Sequence, residues 1–165
     1  MKTWWRRCHK RWVVLKQPRS PAEWWLFVCV LGFAAAVPLL MRLRLPTLGR
    51  LLEHRCAVPV AHRNLDEASA RIIRTVESVL AIGAPLISPR CLTRGLTLYY
   101  FLRRAGVELS LCFGAGYGKA GFSGHCWLVK DGEPFLERGN PQSHFATMYR
   151  LPEGAARSLT PVLNP

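Results

Sequence analysis

Apolar residues along this chain follow a helical period through the first two-thirds and a period of two after that. Residues 24–41 carry no charge and are apolar on every side, which predicts a helix over 23–41. After Pro46, residues 47–55 (TLGRLLEHR) fit a short amphipathic helix. Ala68, Ile72, Ile73, Val76, Val79 and Leu80 then recur at helical spacing, with Arg71, Arg74 and Glu77 on the other side. Asn64 or Asp66 can cap this helix, and Gly83-Ala84-Pro85 ends it. In the next helix Ser88 suits the N-cap and Pro89 the first position. Its apolar stripe is Leu92, Gly95, Leu96, Tyr99 and Leu102, Arg103 and Arg104 suit its last turn, and Gly106 stops it.

Val107, Leu109, Leu111 and Phe113 then alternate with Glu108, Ser110 and Cys112, which predicts a strand. Residues 114–124 (GAGYGKAGFSG) read as a glycine-rich connection, and 125–130 as a second strand. Asp131-Gly132 is a strong hairpin turn into a third strand over 133–138. From Gly139 onward the tail reads as irregular, with four prolines. Helices first and an antiparallel sheet afterwards predict an α+β domain.

Composition divides the chain. It has 165 residues, room for one domain with a proper core, and a net charge of +13. Residues 1–55 hold 11 basic and 2 acidic side chains, against 12 and 8 in the remainder. We therefore divide it into a basic arm with an apolar helix (1–45) and a folded domain (46–165). An arm of this kind suits anionic lipid, nucleic acid or an acidic peptide. The uncharged run is borderline in length for a membrane span, arginines flank both its ends, and no small-x-small cleavage site precedes Arg42. The expected location is the cytoplasm, with residues 24–41 as a membrane-associated or domain-packed helix rather than a crossing one. The six cysteines show no CxxC spacing, which argues for free thiols in a reducing compartment and against a zinc site.

Candidate chemistry centres on Cys91, His125 and Glu137. Counted from Ser88, Cys91 is the third helical residue, where unpaired N–H groups and the helix dipole favour a thiolate, and Arg90 and Arg94 are near in sequence. His125 opens the second strand on the same face as Trp127 and Val129. Taken singly, a cysteine at a helix start is an ordinary small core residue and a strand histidine an ordinary structural one; together they can form a nucleophile and its base. A two-residue turn at Asp131-Gly132 pairs residues whose numbers sum to 263, so His125 faces Arg138. Glu137 is one step off and needs a bulge to reach the imidazole; Asp131 is the competing acid. Gly116-x-Gly118-x-x-Gly121 fails as a nucleotide signature, because no strand-to-helix turn surrounds it, and is expected to form a mobile connection beside the cleft.

Cys91-Leu92-Thr93-Arg94-Gly95-Leu96, Gly124-His125-Cys126-Trp127-Leu128 and Asp131-Gly132-Glu133-Pro134-Phe135-Leu136-Glu137, in this order, resemble the B proteins of lasso-peptide biosynthesis. These are transglutaminase-like cysteine peptidases of the microcin-processing type, which remove the leader from a ribosomally made (RiPP) precursor during bacteriocin maturation. The resemblance covers residues 45–150. It implies a papain-like or transglutaminase-like core whose nucleophile, at a helix N-terminus, packs on a small antiparallel sheet. It places the nucleophile on Cys91, the base on His125 and the orienting acid on Glu137, where the family often has Asp. Gly124 and Cys126 stand where small alanines often flank the histidine, and Val129-Lys130 where an acid is usual. Residues 1–45 are too few and too basic for a winged-helix leader-binding module. The implied partners are the precursor peptide, a separate leader-recognition protein, an asparagine-synthetase-like cyclase and an exporter, with no nucleic acid. No cofactor motif is recognisable, and the sequence leaves any ATP dependence open. Two alternatives are a transglutaminase-like acyl transferase on the same fold, and a non-enzymatic membrane- or nucleic-acid-binding protein acting through residues 1–45.

Overall fold

Ser20 starts the first helix, α1 (Pro21–Leu40), by accepting a hydrogen bond from the Glu23 N–H at 3.3 Å, with Pro21 filling the first helical position. The computed structural model describes residues 20–53, 65–83, 91–118, 121–137 and 139–152. Helix α2 (Leu45–Glu53) begins two residues earlier than expected because Pro46 fits its first turn. Helix α3 (Leu65–Ile82) buries Ile72, Val76, Val79 and Leu80, the predicted stripe. Helix α4 is described from Cys91 to Arg104. The proposed caps Asn64 and Ser88, together with Pro89 and Arg90, lie outside the described residues.

Gly106 ends α4 at φ +91°, its N–H reaching the Arg103 carbonyl at 3.1 Å while the Val107 N–H reaches that of Leu102 at 3.0 Å. Those crossed bonds are a Schellman closure, and glycine takes the left-handed position at no steric cost. Because Val107 is used there, β1 begins at Ser110 and not at Val107.

Four antiparallel strands follow in the spatial order β3-β2-β1-β4: β1 (Ser110–Gly118), β2 (Gly121–Lys130), β3 (Glu133–Phe135) and β4 (Ala146–Leu151). Leu111, Cys126 and Leu128 face the helices and share one core with Val76, Leu96 and Leu102. Each of these buried leucine and valine side chains contributes about 1.5–3 kcal/mol. Cys112, Trp127 and Val129 cluster with Phe145 on the other face. α1 packs against α3 and α4 through Val30, Ala34 and Val37, and Phe33 stacks on Tyr100 at 4.3 Å.

Two sequence expectations change. Residues 114–124 are not a loose connection: β1 and β2 pair continuously from Ser110↔Val129 to Gly118↔Gly121. The glycines are there for close approach, not looseness. A Cβ on Gly114 would lie 2.7 Å from the Trp127 ring and 2.8 Å from the Ala146 carbonyl oxygen, and one on Gly116 would run into the His144 carbonyl. The tail is also not irregular throughout. Asn140 caps a 3-10 turn at Pro141–Ser143, and the chain returns as β4 along β1, with a shift in register between Phe113 and Gly114.

Candidate active site

Cys91 sits at the start of described α4, half-buried, where α4 packs against β2. Its thiol is lowered from an ordinary 9.0 to about 5. The largest cause is the Cys126 thiol, which donates to the sulfur; burial opposes the shift, and the Cys126 backbone N–H, a hydrogen bond from His125 and the charge of its imidazolium add to it. Cys126 moves the opposite way, pushed up by the Cys91 sulfur and by its own burial. The opposite shifts favour the thiolate on Cys91 and the proton on Cys126. Gly95, one turn along α4, makes room for this neighbour: a Cβ there would lie 3.0 Å from the Cys126 sulfur. A thiolate held this way is the reactive form of cysteine.

The strand alternation fits the expectation, with Cys126 and Leu128 on the helix side and Trp127 and Val129 opposite. β3 has ended by Phe135, so β2 is bare on that side at His125. The imidazole stacks over Trp127 with ring centroids 6.0 Å apart, and Phe145 lies at 5.2 Å. Its Nε2 stands 3.5 Å from Oε2 of Glu137, leaving Nδ1 as the nitrogen available to Cys91.

Glu137 reaches the imidazole for a reason the ladder alone does not give. The pairs Leu128↔Phe135, Val129↔Pro134 and Lys130↔Glu133 keep the predicted register. The strand then stops, because Leu136 adopts φ +61°, a left-handed conformation uncommon for a side chain of its size. That one residue redirects the chain and turns Glu137 toward His125. Arg94 on α4 holds the turn in place. Its Nη2 donates to the Leu136 carbonyl at 3.2 Å, its Nη1 stands 3.5 Å from Glu137 Oε1, and its Nε donates to Glu77 of α3 at 2.8 Å. Asp131 lies in the turn six residues beyond His125, about 20 Å along an extended strand, too far to orient the ring.

The structure therefore brings Cys91, His125 and Glu137 together and leaves Asp131 apart. Two neighbours went unrecognised in the sequence. Cys126 stood out only as a departure beside the histidine. Arg94 was noted for its nearness to Cys91, whereas its described partners are 17 to 43 residues away in sequence.

A cysteine sulfur at the start of a helix, an imidazole on the adjoining strand and a carboxylate behind it, on an α+β frame, form an arrangement of the kind that cysteine-dependent acyl transfer requires. Residues 33–150, well over half of the chain, match the transglutaminase-like superfamily, and the chain belongs to that superfamily. Its members are typically cysteine-dependent enzymes and include both peptidases and acyltransferases. No curated protein and no solved structure matches the chain significantly.

Proposed function

We propose that the protein is a cysteine peptidase that removes the leader from a ribosomally synthesised lasso-peptide precursor. The observation that carries the chemical part is the convergence of Cys126 and His125 on the Cys91 sulfur, which lowers its thiol, with Glu137 3.5 Å behind the imidazole. The resemblance in residues 88–137 supports the substrate class. Cys91 attacks the scissile carbonyl, the C–N bond breaks, and His125 delivers the proton to the leaving amine. A water deprotonated by His125 then attacks the thioester, releasing the new carboxylate and the Cys91 thiolate. Glu137 keeps the ring oriented and stabilises the imidazolium. The Cys126 backbone N–H, already directed at the sulfur, is a candidate donor to the oxyanion.

We place the reaction in the cytoplasm, where a ribosomal precursor is made, with residues 24–41 holding the enzyme at the membrane. A separate leader-recognition protein would deliver the precursor, and an asparagine-synthetase-like cyclase would take the product. The test is incubation of candidate precursor, leader-recognition protein and this chain, read by mass spectrometry. Wild type should give two fragments whose masses sum to that of the precursor plus one water. Cys91→Ala should lose several orders of magnitude in rate. Equal cleavage by Cys91→Ala refutes the assignment. A crosslinked product without added water selects the second reading, a transglutaminase-like acyl transferase, which superfamily membership favours equally.

A further inference from the structure

α1 is apolar all round, yet only one of its faces is covered. Val30, Ala34 and Val37 are buried against α3 and α4, and Leu26, Phe33 and Leu40 extend that seam along the helix. The opposite face carries Trp24, Trp25, Val28, Leu31 and Leu39, between 39% and 72% exposed. At 100° per residue these five lie within one half-turn of each other, centred opposite Val30, Ala34 and Val37. Only 17% of the helix's most apolar window is buried. A stripe of this length open to water marks a contact surface.

Charge indicates what covers it. Arg42, Arg44 and Arg50 are exposed just past the helix, and residues 1–55 carry 11 basic side chains against 2 acidic ones. Two tryptophans mark the N-terminal end of the stripe, a residue type favoured at the boundary between lipid headgroups and acyl chains. We propose that α1 lies in the plane of an anionic bilayer, its open face inserted at the headgroup boundary and its other face holding the catalytic domain against the surface. Although α1 is long and apolar enough to cross, crossing would take α3 and α4 into the lipid with it. α3 exposes Glu67, Arg74 and Glu77, and α1 is joined to α3 and α4 along most of its length. In the usual in-plane helix a charged face meets the water; here the domain takes that place.

This refines the membrane localisation proposed above and is independent of the peptidase chemistry. The experiment is co-sedimentation of the full chain with vesicles of phosphatidylcholine alone or mixed with phosphatidylglycerol, followed by trypsin added outside the vesicles. Binding should require the anionic lipid and weaken as salt rises. Trp25→Glu and Val28→Glu, at sites already open to solvent, should each weaken binding at least roughly tenfold. Unchanged melting temperatures will show that both variants fold. In the bound wild type, trypsin should cut both ahead of Ser20 and at Arg42 or Arg44, matching a control digest without vesicles. Protection of one end alone means a crossing helix, overturning the in-plane proposal while keeping the membrane localisation. No binding to anionic vesicles overturns both. Binding indifferent to the two substitutions assigns the contact to the basic arm and also overturns the proposal. So does a dimer that the same substitutions dissociate, since a second copy would then be the occupant.

Discussion

Replacing Cys126 with alanine should make Cys91 a weaker acid. In the wild type the Cys91 thiol titrates at about 5, chiefly because the Cys126 thiol donates to its sulfur. A hydrogen bond to a charged acceptor contributes about 1.5–3 kcal/mol, which corresponds to about one to two pH units. Cys126→Ala removes that donor and keeps the backbone N–H and His125, so the midpoint should rise by that amount and not return fully to 9.0. The assay is the rate of iodoacetamide alkylation at Cys91 against pH, followed peptide by peptide in the mass spectrometer. Cys112, pushed up by burial, serves in both proteins as an internal reference that stays slow near neutrality, as does Cys126 in the wild type. A wild-type midpoint near 9, or one that Cys126→Ala leaves unmoved, refutes the assignment of the proton to Cys126. Stability should follow the same titration. Because the folded value of Cys91 lies below the unfolded one, its contribution grows as pH rises towards about 9 and is lost as pH falls near 5, whereas the raised Cys126 thiol opposes it above about 9. The full shift would give an upper bound of about 5 kcal/mol, but the sulfur is only half-buried, and screening reduces it to about 1–2 kcal/mol.

Arg94→Lys should lower kcat by about tenfold with little change in KM, because one ammonium cannot serve Glu77, Glu137 and the Leu136 carbonyl together; a steady-state comparison with wild type checks this, and an unchanged kcat removes the clamp from the mechanism. Gly116→Ala should destabilise the domain by about 1–3 kcal/mol in denaturant melts, since its Cβ would displace the His144 carbonyl and with it Phe145 beside the imidazole. A melt identical to wild type would show that the 144–146 segment yields freely.

α2, α3 and α4 were legible because one apolar stripe at helical period specifies each of them, α1 because its run is apolar and uncharged, and Asp131-Gly132 announced its own turn with positive φ at both residues. The register carried through to Phe135 as arithmetic predicts. The approach of Glu137 to His125 did not, because it rests on Leu136 adopting φ +61°, which no propensity favours. The strand character of residues 114–118 and 121–124 was hidden for a related reason. Glycine is poor in strands taken alone, and its value here lies in a tryptophan ring and a returning chain that local sequence does not display. β4 was obscured by the prolines around it and by a partner strand more than 30 residues back. Arg94 and Cys126 were visible as letters, but their roles depend on which distant groups they meet.

The return of the chain over β1 has a practical bearing on where this protein can be cut. Residues 141–151 supply the sheet's outer edge, cover its glycine-bare stretch and place an aromatic ring next to the histidine. A shortened version stopping at Gly139 would retain Cys91, His125 and Glu137, yet its hairpin would stand open on one flank. Trimming or grafting of this domain should therefore respect a boundary no earlier than Pro152, and inactivity in anything shorter would say nothing about the chemistry of the three residues it kept.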